Sequence, residues 1–443
     1  MHVLDAASPM RFEWIETLAD DARWQPLLHM HRPQEALVGW ALAAHVAAVR
    51  DRPTGPTSGR PVDLVLSTGD NIDNAQRNEL DAYLAVLAGG TFSLDPTGGT
   101  LDAGGLPTGA AWPYWSPAPG VVDLWKPHGY PIVDGLLDRL AAPVAMPGLG
   151  LPWSSLPGNH DLMCQGTALI GAALAASAVG DRKALFAPPG FVPDDPLTLF
   201  VESPAAFLGA GDRRITADPR RHPIDRAEWL VAHRVAGAVG FEPTVDGDGN
   251  GDGPIDGLVR LDGATIVLLD TNHPSGDYQG SIGRTQLARL DEHLTEADDR
   301  GDIVVVASHH GTVALVNHRG EDTDRVLAEP LLDVLHAHPC VVAWIVGHRH
   351  VNRVDARPGR SGGFWEITTS SIIDWPGERR SIEILRHADG TIEIVATLHR
   401  HDAPGGSIAS LHHDLAHRFD RAERRRVREG RGPDRDVRLY LRR

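Results

Sequence analysis

Four stretches of this chain approach an abrupt polar ending, and the endings hold the side-chain types that ligate metals. The spacing predicts a strand over 62–66 that runs into Ser67-Thr68-Gly69-Asp70-Asn71. A shorter, proline-interrupted approach leads into Gly158-Asn159-His160-Asp161, a run over 303–307 leads into Ser308-His309-His310-Gly311, and one over 341–346 leads into Gly347-His348-Arg349-His350. Short apolar runs without alternation are the pattern of strands buried on both faces. Helical patterns over 32–50, 74–87, 281–294 and 323–337 alternate with these runs and with a further strand over 265–269 that closes on Asp270-Thr271-Asn272-His273. Alternation of this kind predicts an α/β fold with a parallel sheet. In open α/β sheets, sites form outside the carboxyl ends of the strands, so the four endings are expected to meet at one edge.

The residue types then define a chemistry. Two divalent ions held close together need a bridging anion, and Asp70 supplies a carboxylate for it. His348 and His350 are two apart, so in extended backbone both point the same way. Asn159 offers an amide oxygen. A set with this many imidazoles suits Mn, Fe or Zn and does not suit an all-oxygen magnesium or calcium site. Not every histidine pair reads this way: His29 and His31 come after no strand and are expected as surface or helix-entry residues.

The rest of the chain divides into a body over 1–400 and a tail over 401–443. Closing strands are expected over 364–370, 381–385 and 391–398, the last two joined at Ala388-Asp389-Gly390. Two long insertions are expected at about 89–150 and 162–260. The first begins rich in Gly and Pro and carries Trp112, Tyr114, Trp115 and Trp125, which either line a cleft or pin the insertion to the body. The second contains Asp246-Gly247-Asp248-Gly249-Asn250-Gly251-Asp252, which imitates half an EF-hand loop, but its twelfth position is Gly257 where a bidentate glutamate is needed. A solvated Gly/Asp turn is the expectation there. From residue 411 onward arginines outnumber acidic residues, and the tail is read as a solvated helix, with docking onto the acidic body or an anionic partner as the alternative.

A formal charge of −17 on 443 residues disfavours nucleic-acid binding, while bound cations would locally reverse the sign for an anionic substrate. The two cysteines, Cys164 and Cys340, form no CxxC pattern; Cys340 is expected in a buried strand, and a single disulfide between the pair is left open. The longest apolar helical stretch, 167–179, is shorter than the ~20 residues a transmembrane helix needs.

Taken in order, Gly69-Asp70-Asn71, Gly158-Asn159-His160-Asp161, His309-His310 and Gly347-His348-Arg349-His350 resemble the ordered motifs of calcineurin-like metallophosphoesterases, closest to a long-insert branch whose members often carry twin-arginine export signals. Gly280-Ser281-Ile282-Gly283, leading into Gln286-Leu287, is similar to the family's helix entry. The resemblance covers the core and not the insertions. It implies a four-layer fold of two packed mixed β-sheets flanked by helices. It implies two divalent transition-metal ions, one held by Asp70, Asn159, His309 and His348, the other by Asp70, His2, His350 and the aspartate of a D-x-H motif. His2-Val3-Leu4-Asp5 resembles the histidine of that motif and its continuation, so Met1 stands at the x position. The aspartate and the strand before it are expected upstream of Met1, lost by a misassigned start or by truncation, together with any export signal; as written, the chain is expected in the cytoplasm. The implied activity is hydrolysis of phosphate mono- or diesters, on small-molecule or lipid substrates, by a metal-bound hydroxide. His160 is implied as general acid with Asp161 orienting it, and His310 and His273 as neighbours of the ligands. The alternative is a single-metal or inactive metal-binding protein of the same fold.

Overall fold

The computed structural model describes all residues except 29, 105–110, 210–212, 242–252, 321–323, 361, 424–427 and 443. The EF-hand-like segment 246–252 and His29 therefore lie outside the described residues.

The chain is mixed α/β. Its largest sheet has six strands. In chain order the elements used below are α1 (Val38–Asp51), β1 (Val65–Ser67), α2 (Arg77–Ala88), β2 (Trp153–Ser155), β3 (Gly257–Leu261), β4 (Ala264–Leu269), α3 (Arg284–Arg300), β5 (Ile303–Ser308), α4 (Ala328–Ala337), β6 (Val341–Val346), β7 (Arg353–Arg357), β8 (Phe364–Thr368), β9 (Arg379–Arg386), β10 (Ile392–His399), α5 (Ile408–Glu423) and β11 (Val437–Leu441). The six strands are ordered β7-β8-β6-β5-β4-β3. The four central strands run parallel, and β3 and β7 close the edges antiparallel. A separate three-stranded antiparallel sheet is ordered β9-β10-β11, and β1 pairs with β2 in a short parallel ladder.

Alternation along β5 assigns its two faces. Ile303 and Val305 join Val342, Ala343 and Ile367 in a cluster with Ile392, Ile394, Leu439 and Leu441, so the large sheet packs face to face on the three-stranded one. Val304 and Val306 face the other way, onto Leu290, Leu294 and Ala297 of α3 and Leu331 and Leu335 of α4. A further cluster gathers Val3 and Leu4, α1, α2, Trp153 and Leu156 against Leu268 and Ala307. It seats β1 and β2 beside the carboxyl ends of β4 and β5.

Several expected boundaries shift for local reasons. The helix expected from 281 begins at Arg284, because Ile282–Gly283 pairs with Arg325–Val326. The same pairing delays the helix expected from 323 until Ala328, where Pro330 falls in the first turn, free of any hydrogen-bond obligation. The second insertion ends before 257 rather than at 260, since Gly257–Leu261 is an edge strand of the large sheet. The aromatic side chains of the first insertion pin it: Trp112, Tyr114 and Trp115 are all buried, and the Trp112 indole donates to the Thr100 carbonyl at 2.7 Å. Both cysteines are free and buried, so no disulfide joins them.

The tail corrects its expectation most. It is not a solvated helix. Helix α5 lies along α1, the Tyr130 hydroxyl donates to the Leu415 carbonyl at 3.1 Å, and β11 completes the sheet with β10. Among the described residues no helix is long and apolar enough to cross a membrane.

Candidate metal centre

The four endings converge. Asp70 comes after β1, Asn159 after β2, His309 after β5, and His348 and His350 after β6. Close approach between the two layers depends on glycine: a Cβ on Gly158 would lie 2.3 Å from the Asp70 backbone nitrogen, and one on Gly69 would lie 2.5 Å from His309 Nδ1. The N-terminus threads alongside, with the His2 amide donating to the Asp70 carbonyl at 2.7 Å and Val3 bridging to Ile72. Among the described residues only His2, Asp70, Ala75, Gln165, Asp277, His348 and His350 are non-glycines at positive φ. Four of them are candidate ligands, and left-handed backbone of this kind is held only where the surroundings over-determine it, most often at functional sites.

Two donor groups share Asp70. In the first, His309 Nε2 lies 3.2 Å from Asp70 Oδ2 and 3.0 Å from Asn159 Oδ1, and His348 Nδ1 lies 3.2 Å from Asn159 Oδ1. In the second, His2 Nε2 lies 3.1 Å from His350 Nε2 and 3.6 Å from Asp70 Oδ2. Outer hydrogen bonds set which atoms face inward. His309 Nδ1 donates to the Thr68 carbonyl at 2.6 Å, and the Asn159 amide nitrogen donates to the Gly166 carbonyl at 2.8 Å, which aims its oxygen at the site. His350 Nδ1 donates to Asp374 Oδ2 at 2.6 Å and His2 Nδ1 to Asp73 Oδ1 at 3.1 Å. With both Nδ1 atoms as donors, the Nε2 atoms of neutral His2 and His350 confront one another as bare lone pairs.

Burial is the largest influence on these rings. It drives His2 and His348 well below the ordinary imidazole value and His350 down to about 4, so all three are neutral at pH 7. Burial alone would raise the Asp70 carboxyl, but His309, then His160 and His2, hold it well below the usual carboxylate range. An ionised carboxylate flanked by imidazoles and an amide oxygen, with the outer nitrogens of His2, His309, His350 and Asn159 engaged elsewhere, fits a pair of first-row divalent cations.

His310 also sits within reach of His309 and His348. Its Nδ1 faces the Thr271 hydroxyl at 2.9 Å and its Nε2 donates to the Tyr278 carbonyl at 3.1 Å, so neither nitrogen is left for a ligand. His273 accepts from the Ser275 amide at 3.0 Å and lies buried nearby.

His160 lies beside the candidate ligands, its ring centroid 4.4 Å from that of His2, but is engaged differently. Its Nδ1 is 2.9 Å from the Asp73 carbonyl and 3.3 Å from Asp73 Oδ1, and its amide donates to Asp70 Oδ1 at 3.0 Å. Burial would lower this ring, but Asp70 and Asp73 raise it above the ordinary value. Asp161 is not its orienting partner, which corrects the expectation. Asp161 accepts from the amides of Gly158 at 2.8 Å, Asn71 at 3.1 Å and Ile72 at 3.3 Å, tying the two turns together. Burial, then Asp70, pushes its carboxyl up to about 6. The grouping of His2, Asp73 and His160 is a hydrogen-bond network rather than a third ligand set, because Asp73 also pairs with the buried Arg11 guanidinium.

Asp73 and Asp374 were not foreseen from sequence. Asp73 shares the Asp70 turn, so its proximity was a usable signal. Asp374 comes after two isoleucines and carries no local pattern that marks it.

No family model matches the chain. A stretch of 122 residues, 25% of this chain, is 31% identical to a manganese-dependent ADP-ribose/CDP-alcohol diphosphatase of Xenopus tropicalis, covering 33% of that protein. Another of 88 residues, 20% of this chain, is 34% identical to a probable cyclic nucleotide phosphodiesterase of Synechococcus sp. (strain WH7803), again over 33% of its length. The matched part of the chain thus spans about a third of these curated relatives. A solved dimetal phosphatase from Danio rerio aligns over 82% of this chain and 86% of its own, at 14% identity and a TM-score of 0.38.

Proposed function

We propose that this chain is a metal-dependent hydrolase of phosphate esters that holds two divalent transition-metal ions about Asp70. The observation that carries the reading is the meeting of His2 Nε2 and His350 Nε2 at 3.1 Å beside Asp70, with both outer nitrogens already donating to carboxylates. Two neutral rings so placed repel unless a cation lies between their lone pairs. One ion would take Asp70, Asn159, His309 and His348; the other would take Asp70, His2 and His350. Bound there, divalent cations supply Lewis acidity toward water and toward phosphoryl oxygens.

The chain's own residues do the rest. Asp70 stays ionised between the two positions. His160, raised above the ordinary imidazole value and fixed by Asp73, holds a proton for the departing oxygen. Asp161 keeps the Asn159 turn in register with the Asp70 turn. Two packed sheets with helices outside, in four layers, are the architecture that this reading assigns.

The relatives' names support substrates that are small phosphoric esters or diphosphates, with manganese as a candidate among Mn, Fe and Zn. The test is a metal-free preparation titrated with Mn²⁺ and assayed on ADP-ribose, a CDP-alcohol, a cyclic nucleotide and a nitrophenyl phosphodiester. Two ions per chain and turnover of one of these are expected. His348→Ala is expected to lose one ion and to cut kcat/KM at least a hundredfold; unchanged metal content and activity would reject the ligand assignment.

A further inference from the structure

The last ligand, His350, is held from the far end of the chain. Its Nδ1 donates to Asp374 Oδ2 at 2.6 Å, and the other oxygen of Asp374 receives Arg32 Nε at 2.9 Å and Arg428 Nη1 at 3.1 Å. The Asp374 side chain is fully buried. Arg428 belongs to the segment read from sequence as a solvated tail.

The same few residues of that segment brace both turns that frame His350. The Arg428 carbonyl receives the Asn352 amide at 2.9 Å, two residues beyond the ligand. Glu429 receives the Trp375 indole at 2.7 Å, one residue beyond Asp374. Asp434 receives the Val354 amide at 3.0 Å. Meanwhile Arg428 Nε is buried without a partner among the described residues. A part-buried guanidinium whose buried Nε is left unmet, and which is paired with a fully buried carboxylate, is poorly explained as a source of stability, since desolvation offsets much of such a pair. It is well explained as a device that fixes geometry. His350 also needs such a device, because its backbone sits at φ 53°.

We propose that Arg428 is a positioning residue for the second metal position: the C-terminal segment fixes Asp374, Asp374 fixes the tautomer and ring plane of His350, and His350 Nε2 is thereby aimed beside Asp70. The inference rests on the two-ion reading above. It makes the C-terminal segment part of the metal site, although the segment supplies no ligand.

The experiment uses the full chain, stripped of metal and titrated with Mn²⁺ by calorimetry, with melting monitored in parallel. The wild type is expected to bind two ions. Arg428→Ala is expected to weaken one binding step about 10–100-fold, the range seen when partners of ligating groups are removed, and to leave the other within twofold. Arg428→Lys, which keeps a cation beside Asp374 and guards against a misfolded alanine variant, is expected to recover part of that loss; Asp374→Asn is expected to reproduce it. A lower melting temperature with both binding steps unchanged would mean that Arg428 is only structural, and would overturn the proposal. A wild-type chain that binds fewer than two ions overturns the two-ion reading itself, so the two failures are told apart.

Discussion

His160 carries the same imidazole as the candidate ligands around it, yet its surroundings suit it to a different task. The candidate ligands His2, His348 and His350 are buried and kept neutral, whereas His160 faces Asp70 and Asp73 and is raised above its ordinary value. That contrast separates a proton carrier from a lone-pair donor. His160→Asn is expected to lower kcat about 10²–10⁴-fold, the usual range for a lost acid–base group, with metal content unchanged. Metal analysis alongside steady-state kinetics checks this, and loss of an ion in the variant would make His160 a ligand instead. At this scale the sequence was informative where the site residue lies just past a strand. The convergence of Asp70, Asn159, His309, His348 and His350 was legible because each comes at or just after the end of an apolar run. The Asp73 and Asp374 partners were not, because their role is set by which ring nitrogen they face, and that depends on tertiary placement. The role expected for Asp161 failed for the same reason: adjacency in sequence suggested a pair, but the turn sends its carboxylate back onto backbone amides.

Among the elements, α3 shows how periodicity becomes stability. Its buried positions Gln286, Leu290, Leu294 and Ala297 recur every three to four residues and lie on the face toward the large sheet. Gln286 accepts from the Gly283 amide at 3.2 Å to cap the start, and Gly301 at φ 70° ends the helix. Leu294 is fully buried. Leu294→Ala is expected to cost about 2–5 kcal/mol in chemical denaturation, through lost transfer energy and the cavity left behind. Mn²⁺ affinity should not change, since the helix lies on the sheet face away from the three-stranded sheet and touches no candidate ligand. The stripe was readable from sequence, but the ends were displaced. Ile282–Gly283 was captured by a two-residue pairing with Arg325–Val326, and contacts between residues more than forty apart leave no periodic trace. The short ladder of β1 with β2 was obscured in the same way by the first insertion between its strands.

For the whole molecule, buried neutral histidines away from the candidate metal centre tie stability to pH. His233 is fully buried against Trp229, with ring centroids 3.5 Å apart, and its Nδ1 donates to the Trp229 carbonyl at 2.8 Å. Burial pushes its ring down to about 3. An unfolded chain would protonate this histidine near its ordinary value of about 6.5, so between roughly pH 6.5 and pH 3 the unfolded state holds one more proton there than the folded state. Stability conferred by neutral His233 is therefore complete above that window and falls as the pH drops through it, by up to about 1.4 kcal/mol per pH unit. Asp161 and Asp256 act in the opposite sense, since burial raises them to about 6 and about 7, and they bind protons in the folded state first. Their contributions cancel when two proteins sharing them are compared. His233→Gln removes only the His233 proton, so the metal-free variant should show a stability-versus-pH slope shallower than wild type by close to one proton between about pH 5.5 and pH 4. Urea denaturation across that range in the presence of a chelator measures it. Parallel slopes would mean that the ring is protonated in the folded protein, and that its stacking on Trp229 is a cation–π contact rather than the packing of a neutral imidazole.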